Sequence, residues 1–491
     1  MPCAAWLLRR LLPCLAASAA LRGALAEYDL VIDAGSTGSR IRIFRMSEGR
    51  LEQVTLPSKE EAAQLETEPG IASYASSLEL AGPSLQGIVD AAAGVVPKAE
   101  QPRSRLWLMA TGGARLMESS RIRRLLGAVA GYLSNSSHSP FVFQSTQVMS
   151  GQKEAVYAFL AMNDLLGTLK GETVGVLDMG GASTQIAFEP QDMVLSNEFD
   201  LYVDDVRRSL YATSFPRLGL QSALDRFVEA TVSAAGPGVA IVPVPCLNIG
   251  DRRTRNASGS VVALVGTGDA EQCSEAVLGL LKEDLKCMLP SCALVGLAMS
   301  PASGRYVAIN AMFYVAYNMR MLGWDEEKVI TPAEILAATR DFCRKGKAEI
   351  QAAPDAEWKY QRNSCFAGFL AYHLLREYGF SDDNGNITFL RQVDGRHCDW
   401  TRGALLFETV NMPSHFVQSL TEVRRPRSVK KQGATVWKVS CFLLLVVVIL
   451  LALTILIMAR VAWRPAPGGC SDSSSDQSSD KSEIEEGQPR E

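Results

Sequence analysis

The chain has 491 residues, of which 47% are hydrophobic and 21% are charged, a composition typical of a folded protein. This length exceeds what a single compact core usually holds, so we expect two or more lobes. The formal net charge is −4 and no basic stretch stands out in the body of the chain, which argues against a nucleic-acid partner.

Residues 1–26 have the pattern of a secretory signal peptide. Arg9 and Arg10 precede eleven largely apolar residues, and the segment ends in Ala24-Leu25-Ala26. The apolar run is too short to span a bilayer, and its small-x-small ending fits a cleavage site. An uncleaved N-terminal anchor is the alternative interpretation.

The stretch YDLVIDAGSTGSRIRIF, residues 28–44, places a Gly/Ser/Thr cluster between two apolar runs. This pattern predicts a strand that ends at Asp33, a tight turn and a returning strand. Glycines let backbone N–H groups approach an anion, and an Asp carboxylate can hold a divalent cation, for Mg²⁺ usually through waters. Taken alone, however, the stretch is better interpreted as an ordinary hairpin.

Two further stretches of interest follow. RLWLMATGGARLME, residues 105–118, predicts a strand, a Thr-Gly-Gly segment and a helix start, where backbone amides can meet an anion. Residues 141–167 predict a strand, a loop and an amphipathic helix with Glu154 in its first turn. A carboxylate at that position often only complements the helix dipole, so from the residues alone Glu154 is a weak candidate.

The opening pattern recurs in VGVLDMGGASTQIAFE, residues 174–189, with Asp178 at the same point as Asp33. Two such turns facing each other would form a cleft that clamps a polyphosphate from both sides. No GxxxxGK[ST] motif occurs, and neither turn gives GxGxxG followed by a helix, so P-loop and Rossmann sites are excluded. The hydroxyl donors that the two turns offer are Ser36, Thr37, Ser183 and Thr184.

Seven of the eleven cysteines lie in the second half of the body, which suits disulfides in one lobe of a secreted protein. Zinc is the competing interpretation, but the chain has no CxxC pair and only four histidines. Three sequons would carry glycans only if the body is lumenal or extracellular. They begin at Asn135, Asn256 and Asn386.

Val439–Ala459 is a run of 21 residues without a charge, bounded by Lys438 and Arg460. At ~1.5 Å per residue it covers ~30 Å, so it predicts one transmembrane helix. With the signal peptide this gives a single-pass type I topology, although the basic residues in 419–438 oppose the positive-inside tendency. The acidic, serine-rich tail that follows is predicted to be disordered.

The motifs in this order resemble the conserved regions of the nucleoside triphosphate diphosphohydrolases, the ecto-apyrase family. The likeness continues through PGIASYA (69–75), YATSF (211–215) and NSCFAGFLAYHLL (363–375), and it spans about residues 28–413. It implies an α/β fold of the actin, sugar-kinase and chaperone-ATPase type, with two ribonuclease H-like lobes and a nucleotide cleft between them. The expected organisation is 1–26 signal peptide, 27–150 lobe I with a return segment at about 391–418, 151–390 lobe II, 419–438 basic linker, 439–459 transmembrane helix and 460–491 cytoplasmic tail.

The resemblance also assigns roles. Asp33 and Asp178 would hold Mg²⁺ or Ca²⁺ through water, and Glu154 would be the general base for direct in-line attack of water, without a phospho-enzyme. Ser183 and Gln185 would help to place the attacking water. The residues expected to bind phosphates or line their path are Gly35, Ser36, Thr37, Gly38, Thr111, Gly180, Gly181 and Ala182.

The nucleobase side departs from the family pattern. Tyr314 fits a tyrosine that stacks on the base, but Tyr360 stands where relatives have an arginine, so base preference is not inherited. Among the cysteines, the resemblance implies Cys287–Cys292 and Cys343–Cys365 disulfides, while the usual partners of two others are missing. These two, Cys246 and Cys273, are expected to pair with each other, which leaves Cys398 free or intermolecular.

The sequence thus predicts a membrane-anchored hydrolase of nucleoside tri- or diphosphates on the lumenal or outer face. An exopolyphosphatase-like enzyme of the same superfamily and an inactive nucleotide-binding receptor or scaffold are the alternatives. Plasma membrane and Golgi or another secretory compartment both fit. Homo-oligomers could form through Cys398 or the transmembrane helix.

Overall fold

The computed structural model describes residues 27–410, except 48–49, 57, 195, 204–205, 258–259, 283–293 and 354–356. The predicted signal peptide, linker, membrane helix and tail, and the predicted Cys287–Cys292 disulfide, lie outside the described residues. Among the helices that are described, none combines the length and the apolar character needed to cross a membrane.

The described strands and helices alternate along the chain as in an α/β protein. The strands are β1 (Glu27–Ala34), β2 (Ser39–Ser47), β3 (Arg50–Gln53), β4 (Glu66–Thr67), β5 (Arg105–Ala110), β6 (Val142–Val148), β7 (Gly175–Met179), β8 (Ser183–Phe188), β9 (Glu198–Val203), β10 (Val206–Pro216), β11 (Ile241–Val244), β12 (Arg252–Ala257), β13 (Ser260–Gly266), β14 (Tyr306–Asn310), β15 (Lys328–Val329), β16 (Ile387–Phe389), β17 (Gln392–Val393) and β18 (Arg396–His397). The helices are α1 (Lys59–Ala63), α2 (Leu78–Ala81), α3 (Gln86–Val95), α4 (Gly112–Arg115), α5 (Ser119–Leu133), α6 (Gly151–Leu165), α7 (Leu220–Ala235), α8 (Ala270–Lys282), α9 (Ala311–Asn318), α10 (Pro332–Arg344), α11 (Lys347–Gln351), α12 (Trp358–Gln361), α13 (Ser364–Glu377) and α14 (Trp400–Leu405).

Two sheets organise the body, and their centres are built alike. In the first, the order is β3-β2-β1-β5-β6, with β4 on the edge of β2. In the second, the order is β15-β16-β14-β7-β8-β10-β9. Each centre is an antiparallel hairpin, β1–β2 or β7–β8, whose first strand also pairs in parallel with a later strand, β5 or β14. The two strand-turn-strand units predicted from the sequence are therefore confirmed.

Helix α6 lies between the two sheets and packs against α14. It is buried on nearly all sides, in a cluster that joins Val31 of the first sheet to Val176 and Val307 of the second. Ser150 caps its first turn by accepting a hydrogen bond from the backbone N–H of Lys153 (3.2 Å), which explains why the helix begins where it does. The helix start fixes the location of Glu154 at the level of the strand ends.

The second lobe carries the described disulfides. Cys246 is bonded to Cys273 and Cys343 to Cys365, and the Sγ atoms of Cys273 and Cys365 lie 3.9 Å apart in the core. Cys398 is a free thiol that is only 4% exposed, so it is not placed to crosslink two chains. The three sequon asparagines named above are all exposed, as glycosylation would require.

Candidate active site

A cleft of about 420 Å³ lies where the two hairpin turns meet, and its walls contain residues of both sheets. Gly38 lines a smaller adjoining pocket that shares Arg40 and Tyr360 with the cleft. The other site residues expected from the sequence line the cleft itself: Asp33, Gly35, Ser36, Thr37, Thr111, Glu154, Asp178, Gly180, Gly181, Ala182, Ser183, Gln185, Tyr314 and Tyr360.

The glycines permit a close approach of the turns. A Cβ atom on Gly181 would collide with Ser36 Oγ, so the Ser36 side chain would have to move, and the glycine lets the second turn lie directly against the first. A Cβ atom on Gly113 would lie 2.9 Å from Ser36 Cα. The β1–β2 turn is therefore in contact with both the β7–β8 turn and the segment after β5, and all three segments line the same cleft.

Asp33 and Asp178 occupy equivalent strand ends and face the cleft. The Oδ1 atom of Asp33 is buried and has no hydrogen-bond partner among the described residues, whereas Oδ1 of Asp178 accepts a hydrogen bond from Asn310 Nδ2 (2.7 Å). Burial raises the pKa of Asp33 to about 7, against the opposing effect of the Arg40 guanidinium. Burial likewise raises the pKa of Asp178 to about 7, and the nearby carboxylate of Glu154 adds to the rise.

These two carboxylates fit a hard divalent cation. Burial disfavours the ionised form of both carboxyl groups, and Asp33 Oδ1 lacks a hydrogen-bond partner among the described residues. A positive charge in the cleft would stabilise both ionised carboxylates and interact with that oxygen. Oxygen donors suit Mg²⁺ or Ca²⁺. In the described part of the chain no cluster of three or more His, Cys, Asp or Glu side chains is arranged as direct metal ligands. Two carboxylates suit a cation that keeps much of its own water shell, as Mg²⁺ usually does.

Glu154 points from the start of α6 into the same cleft and is buried. Its Oε2 accepts from Arg115 Nη2 (2.7 Å) and from Gln185 Nε2 (3.2 Å). Burial raises the pKa of Glu154, while the charge and hydrogen bond of Arg115 oppose that rise. The balance leaves the pKa of Glu154 above its ordinary value, and a carboxylate whose pKa is raised toward the working pH suits the role of a general base.

Ser183 and Gln185 are tied to this carboxylate by a short hydrogen-bond network. Gln185 Nε2 donates to Ser183 Oγ (2.7 Å) and to Ser214 Oγ (3.0 Å). Arg115 also donates to Ser183 Oγ (2.9 Å). Ser183, Gln185 and Glu154 therefore present several oxygen and nitrogen atoms to one location, an arrangement that can orient a small polar molecule such as water.

The cleft wall also contains two exposed aromatic residues. Tyr314 is 41% exposed and Tyr360 57% exposed. The ring centre of Tyr314 lies 6.0 Å from that of Trp324. The guanidinium of Arg391 lies over the Trp324 ring, 4.5 Å from its centre. Exposed rings beside a polar cleft can receive a flat, aromatic ligand group.

Several residues that line the cleft or contact its side chains were not predicted from the sequence. Arg115 could have been suspected as the basic residue at the end of the helix after Thr-Gly-Gly, and Asn310 as the end residue of a buried strand. Arg42 and Asp399 form an ion pair (2.9 Å) between residues 357 positions apart, and no local pattern could reveal it. Burial alone would raise the pKa of Asp399, but Arg42 holds it below its ordinary value.

Fold and site together define a two-lobed α/β protein with an acidic, glycine-lined cleft between similar halves. A crystal structure of a nucleoside triphosphate hydrolase from Neospora caninum superimposes with a TM-score of 0.60 at 16% identity, covering 85% of this chain and 98% of that one. This likeness confirms the expected two-lobed, actin-like α/β fold.

Sequence comparison gives the family. The GDA1/CD39 (nucleoside phosphatase) family profile matches residues 23–422. An ectonucleoside triphosphate diphosphohydrolase 1 of Mus musculus is 27% identical over 425 residues, covering 79% of this chain and 82% of that protein. A probable apyrase 5 of Arabidopsis thaliana is 28% identical over 416 residues, covering 79% and 83%. The chain belongs to the GDA1/CD39 family.

Proposed function

We propose that this protein is a divalent-metal-dependent hydrolase that removes the terminal phosphate from nucleoside tri- and diphosphates. The observation that carries the proposal is the meeting of Asp33, Asp178 and Glu154 with two glycine turns in one cleft. Family membership and relatives named as triphosphate diphosphohydrolase and apyrase support the same reaction.

In this mechanism Glu154 accepts a proton from water while the water oxygen attacks the terminal phosphorus. Ser183 and Gln185 orient the water, and the bond from phosphorus to the bridging oxygen breaks, leaving inorganic phosphate and the shortened nucleotide. Backbone N–H groups of both turns stabilise charge on the phosphate oxygens. A cation held by Asp33 and Asp178 would add charge neutralisation when bound.

Arg115 supports the base in two ways. Its positive charge, 2.7 Å from Glu154, favours the ionised carboxylate that can accept the proton. Its second contact, to Ser183 Oγ, keeps the water-orienting hydroxyl in a fixed position relative to the base. The other oxygen of Glu154 is the one proposed to face the water.

The aromatic residues of the cleft are proposed to hold the nucleoside. Tyr314 and Tyr360 line the cleft and offer exposed rings on which a base can stack. Two tyrosines recognise a base by its face rather than by its hydrogen-bonding edge. We therefore propose a tolerant base site that accepts purine and pyrimidine nucleotides.

The catalytic body is proposed to face the lumen or the cell exterior, anchored by residues 439–459. The disulfides Cys246–Cys273 and Cys343–Cys365 support an oxidising compartment. Three exposed sequon asparagines are consistent with the same side of the membrane. Digestion with a glycosidase should raise the electrophoretic mobility of the protein expressed in a eukaryotic cell, and an unchanged mobility would count against this orientation.

The activity is tested on full-length protein purified in detergent. Phosphate release is measured from ATP, ADP, UDP, GDP and inorganic polyphosphate, with Mg²⁺, with Ca²⁺ and with a chelator. We expect release from nucleotides that stops on chelation, and a rate lower by ~10²-fold or more in a Glu154→Gln preparation made in parallel, which controls for contaminating phosphatases. Faster cleavage of polyphosphate would instead indicate an exopolyphosphatase, and nucleotide binding without release would indicate a receptor or scaffold.

A further inference from the structure

Asn310 has a backbone conformation that asparagine adopts only at a cost. It is the last residue of β14, with φ 56° and ψ −126°. Such a combination is rarely populated by residues with a Cβ atom, and it is retained where the surrounding structure requires it. Glycine would adopt the same conformation more readily. The presence of a side chain here therefore calls for a reason.

That reason is not local. Asn310 immediately precedes α9, where an asparagine side chain ordinarily caps the first turn of the helix, yet it makes no such capping hydrogen bond. Its amide is instead directed across to the neighbouring strand, where Nδ2 donates to Asp178 Oδ1 at 2.7 Å. Asn310 thus has a strained backbone and does not cap the helix, but its side chain contacts a carboxylate of the cleft.

The first lobe offers an internal comparison. Parallel pairing sets Asp178 opposite Ile309 and Met179 opposite Asn310 in the second sheet. The matching register of the first sheet sets Asp33 opposite Met109 and Ala34 opposite Ala110.

Ala110 is thus the counterpart of Asn310. It has no donor to offer, and Asp33 Oδ1 is buried without a hydrogen-bond partner among the described residues. At this position the second sheet supplies an amide donor to its aspartate and the first sheet does not.

We propose that Asn310 is a positioning residue that fixes the orientation of the Asp178 carboxylate toward a divalent cation in the cleft. The inference rests on the proposed function, because it gives Asp178 the role of holding that cation. By occupying Oδ1, the amide limits rotation of the carboxylate and leaves the other oxygen to face the cation's water shell. Partners of this kind commonly contribute ~10- to 100-fold to metal affinity or activity.

The test uses full-length protein with Mn²⁺ and β,γ-imido-ATP, and the dissociation constant of Mn²⁺ is read by electron paramagnetic resonance. Asn310→Gly removes the amide and suits the backbone, whereas Asn310→Ala removes the amide and keeps the strain. We expect both to raise the Mn²⁺ dissociation constant ~10- to 100-fold, with the glycine variant melting above the alanine variant. Asn197→Gly is the matched control, because Asn197 also has a positive φ, of 57°, but does not line the cleft.

Wild-type Mn²⁺ affinity in Asn310→Gly would overturn the proposal, whatever its activity. The same holds if only Asn310→Ala were impaired, since the residue would then serve the backbone alone. Failure of the wild-type protein to bind Mn²⁺ would remove the role given to Asp178 and this proposal with it. By contrast, wild-type protein that binds Mn²⁺ but releases no phosphate would refute the proposed function and leave the role of Asn310 standing.

Discussion

Glu154→Gln is the substitution that separates catalysis from structure most clearly. The amide has nearly the same shape as the carboxylate but cannot accept a proton from water at neutral pH. Removal of a general base typically lowers the rate ~10²- to 10⁴-fold, or about 3 to 5 kcal/mol in the barrier. We expect a fall of that size in kcat, with nucleotide affinity in the presence of metal largely retained.

The same substitution also removes the partner of Arg115, and this cost must be separated from catalysis. Breaking a buried ion pair can cost about 3 to 5 kcal/mol of stability. Here the cost should fall below that range, because Arg115 keeps its hydrogen bonds to Ser183 Oγ (2.9 Å) and to the backbone oxygen of Met149 (3.1 Å). The variant should therefore remain folded at 25 °C.

Phosphate release under saturating ATP and Mg²⁺ gives kcat, and a urea unfolding curve gives stability in the same buffer. Glu334→Gln is the matched control: Glu334 also lies in the first turn of a helix, in the capping box of α10, but away from the cleft. We expect Glu334→Gln to lose some stability and no kcat. A Glu154→Gln protein that is folded and keeps more than a tenth of the wild-type kcat would refute the assignment of the base.

Three further predictions follow from the geometry. Asp33→Ala should abolish metal-dependent turnover while the thermal unfolding temperature changes little. A comparable loss of turnover and of thermal stability would indicate that the β1–β2 turn has only a structural role. In metal-free protein burial raises the pKa of Asp33 and of Asp178 from 3.8 to about 7, so both carboxyl groups bind a proton more tightly in the folded than in the unfolded protein. The stability gained from this tighter proton binding is complete below pH 3.8 and is lost as pH rises through 7. Chelator-treated protein should accordingly unfold at lower temperature at pH 8 than at pH 6, and added Mg²⁺ should stabilise it more at pH 8; a stabilisation by Mg²⁺ independent of pH would contradict this. Replacing Cys246 and Cys273 together by alanine should cost about 3 to 4 kcal/mol in urea unfolding, because their bond closes a loop with a sequence separation of 27, and unchanged stability would argue that the bond does not form.

The parts of the fold that could be predicted are those specified by neighbours in sequence. The strand-turn-strand units around Asp33 and Asp178 show apolar alternation on both sides of a glycine cluster, and both form the expected hairpins. The helix that begins after Ser150 forms as predicted, but it is buried on nearly all sides instead of being amphipathic, because it lies between the two sheets. The recurrence of one pattern at two points in the chain was enough to predict that two turns face one cleft.

The residues that were missed depend on partners remote in sequence. Asn310 contacts a residue 132 positions away, and its importance appears only once β14 is aligned with β7. Arg115 ends a four-residue helix that carries no strong periodicity, and its partner Glu154 belongs to a different helix. Sequence patterns report local geometry, whereas these contacts arise from the way in which strands and helices are brought together.

The asymmetry between the two halves leads to a division of labour between the two aspartates. Both halves place an aspartate at the end of a hairpin's first strand, but only the second supplies an amide at the adjoining parallel strand end, where the first has Ala110. Asp178, held by Asn310, has a defined orientation before any ligand binds. Asp33, with its buried Oδ1 unpartnered, gains most from a bound cation. Asp178 would therefore determine where the cation sits, and Asp33 would contribute most to how strongly it is held.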